Sequence, residues 1–408
     1  IKQLWSPVQI MNTSVDKQFD GKFSVENRYD YLNLNTCRFL WKQVKFPTAT
    51  DASNTTAQVL KQGEVQGSDV AAHSAGVLDI KTTILPDADA LFLTAIDRYG
   101  HELWRWTFPV NKLNQANEVL SPLSNKVTST ETENELTVKA KNHTFIFSKK
   151  DGQLKGVSVN NRKISFANGP RFIGARRADR SLDQFYNHDD EKAKEKDRTY
   201  SEFPDAAVFT KLDVKEDGGN LIVTANYKLG NLDKAQWTIN PSGEAVLDYT
   251  YNFSGVVDLM GICFDYPEDQ VISKRWLGAG PYRVWQNRIH GTQYDVWEND
   301  YNDPIPGETF TYPEFKGYFG SVSWMNIRTK EGTISLTNET PDAYIGVYQP
   351  RDGRDRLLYT LPESGISVLN VIPPVRNKVN STDLCGPSSQ PKWVNGPQSG
   401  RIIFRFME

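Results

Sequence analysis

Apolar and polar residues alternate along most of this chain. Phe23, Val25, Tyr29 and Tyr31 are apolar, while Lys22, Ser24, Glu26, Arg28 and Asp30 are polar, a period-2 pattern that predicts a half-buried strand. Ala245, Leu247, Tyr249, Tyr251 and Phe253 alternate in the same way with Asp248, Thr250 and Asn252. Leu91-Phe92-Leu93 and Trp104/Trp106/Phe108 flank Arg98-Tyr-Gly-His101, which predicts a hairpin with glycine at its tip. Leu136/Val138/Ala140 and Phe145/Phe147 lead to a turn at Asp151-Gly152 and a further strand through Leu154, Val157 and Val159. Other glycine turns fall at Asp217-Gly-Gly219, Glu331-Gly332 and Asp352-Gly353. No 3.6-residue apolar stripe persists beyond about two turns. The charged run from His188 to Arg198 has no apolar side and reads as a solvated loop. The predicted fold class is all-β.

A seam interrupts the pattern. From Asn111 to Pro122 the chain is rich in Asn, Gln, Ser and Pro, the chemistry of a linker. The expected division is a sandwich over 1–112, a linker over 113–126 and a large β domain over 127–408. The first part has the size of one immunoglobulin-like sandwich.

Composition narrows the function. The chain has 408 residues, too many for one ordinary core. Its 47 basic and 50 acidic residues nearly balance, and no basic block is long enough to grip a phosphate backbone, so neither nucleic acid nor a membrane surface is expected as a partner. No run approaches the roughly 20 apolar residues of a membrane helix. Cys37, Cys263 and Cys385 lie far apart, and without Cys-x-x-Cys or a Cys/His cluster no cofactor or structural metal is expected. The chain starts at Ile1 without an initiator Met or signal segment, which reads as a piece of a longer protein. Aromatics reach 12% with ten Trp, most expected in cores and a few left for stacking on a ligand.

The densest candidate chemistry runs from Trp276 to Arg288: Trp-Leu-Gly-Ala-Gly-Pro-Tyr-Arg-Val-Trp-Gln-Asn-Arg. Gly278 and Gly280 free the backbone and Pro281 fixes the following turn. Trp276, Trp285, Asn287 and Arg288 supply indole faces and planar polar groups, suited to a sugar that is apolar on its C–H faces and hydroxylated at its rim. This stretch resembles the Trp-x-Gly-x-Gly-Pro-x-Glu-x-Tyr-x-Asp-Arg signature in the last domain of family 2 β-galactosidases. Trp276, Gly278, Gly280, Pro281 and Arg288 match it; Arg283, Trp285 and Asn287 replace its Glu, Tyr and Asp. Trp5-Ser-Pro-Val-Gln9 and Asp20 to Asp30 are similar to the immunoglobulin-like domain that follows the catalytic barrel in those enzymes. The part from about 127 is similar to their closing β-supersandwich, whose fold is galactose-mutarotase-like.

The resemblance implies a non-catalytic C-terminal part of a retaining glycosidase. It would contribute a wall of the active site and contacts to an upstream barrel of the same protein or to a homo-oligomer. It also implies a periplasmic or extracellular bacterial setting. Retaining hydrolysis needs two facing carboxylates, which the relatives carry on the barrel. Asn117-Glu118, Asn134-Glu135 and Asn338-Glu339 lack any barrel pattern around them, so no catalytic residue is assigned. The isolated chain is expected to be inactive.

Other stretches add candidates. Trp297-Glu-Asn-Asp-Tyr-Asn-Asp-Pro304 reads as a sugar-contacting loop with Trp297 as a stacking face, as a calcium site through Glu298, Asp300 and Asp303, or as a polar turn packed by aromatics. The relatives' Gly-rich loop ending in a Trp of the galactose pocket corresponds to Cys385-Gly-Pro-Ser-Ser-Gln-Pro-Lys-Trp393, which makes Trp393 the foremost carbohydrate-binding candidate. Trp393 is expected in an exposed connection before a closing strand Ile402–Phe406. Arg176-Arg-Ala-Asp179 keeps little of the relatives' Arg-Ala-Pro-Thr-Asp-Asn-Asp. Two alternatives stand beside the main reading. One is a stand-alone carbohydrate-binding module with Trp276, Trp285, Trp297 and Trp324 as its platform. The other is a mutarotase-like epimerase using His290.

Overall fold

The computed structural model describes residues 1–51, 56–110, 126–177, 200–203, 205–300, 317–347, 364–374 and 386–408. Among them the secondary structure is almost entirely antiparallel β, with one four-residue helix, Lys2–Trp5, and short 3-10 turns. The all-β expectation holds. The charged run 188–198, the linker stretch 111–122 and Asp352-Gly353 lie outside the described residues.

The chain divides into two compact units. The first comprises Ile1–Glu118 together with Leu277–Pro281 and His290–Trp297. One of its sheets has the order Val8–Ile10, Lys22–Asn27, Ser74–Asp79; the other runs Gln58–Gln66, Arg38–Lys45, Ala90–Ile96, Glu102–Pro109. Phe23 and Val25 from one sheet and Phe39, Trp41, Leu93, Trp104, Trp106 and Phe108 from the other meet in a single core. Phe23 stacks on Phe108 at 5.2 Å. The unit is a two-sheet sandwich whose inward positions are the alternate apolar residues of each strand.

The strand expected from Lys22 through Tyr31 is shorter than its pattern. It ends at Asn27, and Tyr31 is 94% exposed. Asn27 is the cause. Its buried amide donates to the carbonyls of Leu32 and Val70, and its Oδ1 accepts from the backbone N–H of Tyr29. That side chain takes over the backbone and turns the chain out of the sheet. The Gly100 hairpin is as expected: Gly100 has φ +89, and Asp97 Oδ1 accepts from the N–H groups of Tyr99 and His101.

The second unit comprises Val119–Trp276, Tyr282–Ile289 and Glu298–Glu408. Its larger sheet has ten strands; the order of its main path is Tyr344–Val347, Ile366–Val371, Leu259–Asp265, Ala167–Arg177, Leu154–Val159, His143–Ser148, Glu135–Ala140, Thr128–Glu131. Its other strands are the first seven of a nine-stranded sheet, in the order Val208–Asp217, Asn220–Lys228, Leu232–Ile239, Ala245–Val257, Lys392–Met407, Gly332–Asn338, Trp324–Thr329. Aromatic rings join the two sheets. Phe264 of the first lies edge-on to Phe404 of the second at 5.5 Å, and Phe166 stacks on Phe264 at 4.6 Å. Trp237 and Phe147 meet at 6.2 Å. The longest pairing runs from Ala245↔Phe404 to Val257↔Lys392 and brings the end of the chain to the centre of the nine-stranded sheet.

Candidate functional site

Two segments of the second unit form the candidate site: the end of the signature stretch, 282–289, and the turn that precedes the last strand, 386–393. Val284 forms a bridge with Tyr318, each backbone N–H donating to the other's carbonyl at 2.7 and 2.9 Å. Trp285 and Arg288 close a tight turn, with Arg288 N donating to Trp285 O at 2.8 Å. At the centre of that turn, Gln286 and Asn287 reach across to the C-terminal segment. Gln286 Nε2 donates to the carbonyl of Gln390 at 2.6 Å, and Asn287 Nδ2 donates to Ser389 Oγ at 3.0 Å. The Gln286 backbone N–H donates to Pro373 O at 3.1 Å. The 3-10 turn Pro387–Ser389 is thereby held, and three residues beyond Gln390 stands Trp393.

Trp393 is 70% exposed. It lies not in a connection but in the strand Lys392–Met407, opposite Val256. The closing strand is therefore longer than the Ile402–Phe406 expected from its apolar run. Its first half, from Lys392 to Arg401, carries Asn, Gly, Pro, Gln and Ser and shows no apolar alternation to betray it. The pairing partner supplies what the strand's own sequence lacks, since Ala245–Val257 is long enough to template all of it. Ser254 and Asn395 are joined by a 2.6 Å side-chain hydrogen bond across this pairing.

The other aromatic candidates are corrected by burial. Trp276 is fully buried, with Phe319 edge-on to its ring at 4.8 Å. Trp285 is 5% exposed and packs edge-on to Tyr318 at 5.5 Å, in a cluster with Ile173, Cys263 and Leu369. Trp324 is buried under the guanidinium of Arg275, 5.4 Å from its ring. These indoles are filled against the unit's own side chains and offer no face to a sugar. Their apolar area is worth more in the core than at the surface. Three of the four tryptophans of the expected platform, Trp276, Trp285 and Trp324, are thus buried.

Trp297 belongs to the first unit and is half-buried. Its Nε1 lies within hydrogen-bonding distance of the carbonyls of Gly278 and Gln293, at 3.2 and 3.1 Å. Gly280 is a glycine because a Cβ there would collide with the Trp297 ring. In this stretch, then, the glycine freedom seen in the sequence serves packing of an indole against backbone. Arg288 and His290 are exposed and Asn287 is half-buried in its bond to Ser389. Arg283, which replaces the signature's Glu, is buried with its guanidinium 5.1 Å from the Phe319 ring centre.

No group of three or more His, Cys, Asp or Glu side chains able to hold a metal is found among the described residues. Of the calcium candidates, Asp303 and the side chain of Asp300 lie outside them, as do Cys385 and Asp179. Beneath the site Cys263 is buried, which pushes its thiol up to about 11 in spite of the Arg171 guanidinium beside it. It is a packing residue, not a nucleophile. Gln286, Ser389 and Gln390 lie within the two stretches singled out in the sequence but were not picked from them, because the bonds that give them a role join segments about a hundred residues apart.

A family model described as beta galactosidase small chain matches residues 139–371, more than half of the chain. The chain belongs to this family. Its setting is accordingly carbohydrate-related. The family match covers the Trp276–Arg288 stretch and stops before Trp393. Among solved structures, the galactose 1-epimerase from Lactobacillus acidophilus NCFM aligns at 10% identity and TM-score 0.39, over 70% of this chain and 99% of that one. A putative mutarotase from Salmonella typhimurium aligns at 9% identity and TM-score 0.31, over 71% and 96%. The cycloalternan-forming enzyme from Listeria monocytogenes aligns at 8% identity and TM-score 0.21, over 98% of this chain and 30% of that one. No curated protein sequence matches the chain.

Proposed function

We propose that this chain is the non-catalytic C-terminal part of a retaining, β-galactosidase-like family 2 glycosidase, and that Trp393 gives the sugar a stacking face. In this reading 1–112 is an immunoglobulin-like sandwich and 127–408 a mutarotase-like supersandwich. The observation that carries it is the exposure of Trp393, 70%, in a unit whose Trp237, Trp276, Trp285 and Trp324 are all buried. An exposed indole forgoes the burial that its neighbours enjoy, so a ligand is the natural claimant of its face. Its approach is also preorganised: the preceding turn is tied to the 282–289 segment by the bonds from Gln286 and Asn287. The carboxylates of retaining hydrolysis would come from the barrel, and the indole would act on binding and orientation.

The test uses the protein that carries both this chain and the barrel. Trp393→Ala should lower kcat/KM for nitrophenyl β-galactoside by roughly 10- to 100-fold, the scale of aromatic stacking, while Trp393→Phe keeps most of it. The isolated chain should give no turnover above buffer. Steady turnover by the isolated chain, abolished by a point substitution within it, would overturn the assignment. Unchanged kcat/KM in Trp393→Ala would remove the stacking role.

A further inference from the structure

The strand Val208–Asp217 ends the nine-stranded sheet, and its outer edge has no strand beside it among the described residues. Its inner neighbour is Asn220–Lys228, joined through Gly218-Gly219. These two glycines have φ +56 and +92, the values of a type I′ turn, so the hairpin closes on the pair Asp217↔Asn220 as a hydrogen-bonded pair. Alternation from that pair fixes the rest. Lys211, Asp213, Lys215 and Asp217 spend their backbone groups on the inner neighbour; Leu212, Val214 and Glu216 turn theirs outward. Val214 is 37% exposed, and Lys211, Asp213, Lys215, Glu216 and Asp217 are exposed as well. A register shift between Phe209 and Lys211 limits the regular edge to 211–217.

Charges usually protect such an edge from pairing. Here they alternate in sign with a centre of symmetry. In an antiparallel pairing of two copies about Val214, Lys211 stands opposite Asp217 and Asp213 opposite Lys215, each twice by the two-fold axis. Val214 meets Val214, and Leu212 meets Glu216. Both members of these last pairs carry outward backbone groups, so about six main-chain hydrogen bonds form. Moving the centre by one residue in either direction is excluded by charge. About Asp213 it sets Asp against Asp and Lys211 against Lys215; about Lys215 it sets Lys against Lys and Asp213 against Asp217. About Leu212 the pairing runs into the irregularity at Phe209, and about Glu216 it sets Glu against Glu and runs into the turn at Gly218. Like charges directly opposite destabilise a pair, so a single register remains.

We infer that this edge is a self-association site, where a second copy of the chain pairs antiparallel about Val214 and continues the sheet across a two-fold axis. The contact is small and the association correspondingly weak and concentration-dependent.

Sedimentation of the full chain from about 10 μM to about 1 mM tests it. The average mass should climb from 46.3 kDa toward twice that value. Val214→Pro removes an outward N–H and leaves the internal ladder intact, so it should abolish the climb. Lys215→Asp sets Asp213 against an acid and should weaken association about tenfold or more. The double exchange Asp213→Lys with Lys215→Asp should restore it. Lys215→Asp changes an exposed side chain, so it decides the matter even if Val214→Pro fails to fold. A mass fixed at 46.3 kDa throughout overturns the inference. So does association that Lys215→Asp leaves unchanged, or that the double exchange fails to rescue.

Discussion

At the scale of single residues, charge placement follows solvent access. Arg171 Nη2 meets Asp265 Oδ1 at 2.7 Å, and Asn168 Nδ2 donates to Asp265 Oδ2 at 2.7 Å. Burial alone would raise the Asp265 carboxyl. The hydrogen bonds from Arg171 and Asn168 and the guanidinium charge outweigh it and hold the group below the usual carboxylate range. A folded-state value below the unfolded one means stability that is present above the ordinary carboxylate pKa, about 3.9, and is lost as pH falls through the folded value. Asp265→Asn should therefore cost roughly 0.5–1 kcal/mol at pH 7, discounted because the carboxylate is 45% exposed. Melting curves should show the gap to the parent protein closing below about pH 4. A gap that persists at low pH would assign the loss to packing instead. None of this network is legible in the sequence, because its members come from two strands about a hundred residues apart.

At the scale of strands, the alternation rule succeeded where one face of a sheet is buried. From Ala245 to Phe253 the odd positions are buried or nearly so and the even ones half or fully exposed, as their chemistry predicts. It failed where a single side chain or a partner strand decides the backbone. Asn27 stops a strand that the pattern would have continued to Tyr31, and the polar half of Lys392–Met407 is a strand only because Ala245–Val257 pairs with it. The candidate site fails by the same logic. A tryptophan in a glycine-rich motif reads alike whether its ring faces ligand or core, and Trp276 and Trp285 face the core. Trp393 was found through the position of its loop, not through its pattern. The interior of the second unit makes a quantitative prediction. Phe404 is fully buried and touches the rings of Phe166, Trp237, Phe264 and Phe406. Phe404→Ala should cost about 3–5 kcal/mol, and Phe404→Leu distinctly less. Denaturant titration reads both; a loss under about 1 kcal/mol would mean that the ring cluster is not the unit's core.

At the scale of the molecule, alternation and chain length were enough for an all-β chain in more than one unit, but contiguous boundaries hide how the first unit is completed. Residues 277–281 and 290–297 cluster with it although they follow it by some 160 positions or more. The reason lies in Arg105, on the strand Glu102–Pro109. Its Nε donates to Gln293 Oε1 at 2.7 Å, and Nη2 pairs with Asp295 Oδ2 at 3.1 Å. Its guanidinium lies 4.9 Å from the Phe92 ring centre and 6.0 Å from that of Trp297. Tyr294 N donates to Thr107 Oγ1, and Tyr294 stands edge-on to Phe46 at 5.6 Å. Burial is the largest influence on Asp295 and raises its carboxyl, with Arg105 pulling the other way, so the acid depends on its partner. Arg105→Ala and Asp295→Ala should each destabilise, and together by less than the sum of the two. The coupling should be about 1 kcal/mol, more than an exposed pair gives, because both side chains are mostly covered. A fragment ending at residue 112 loses Gln293, Tyr294, Asp295 and Trp297 at once. It should unfold at a lower denaturant concentration than the same unit within the chain, and Arg105→Ala should then cost the fragment less than it costs the chain, since Gln293, Asp295 and Trp297 are already gone. Equal cost in both would show that 290–297 merely lies near the first unit; unequal cost would make the segment part of that unit's fold.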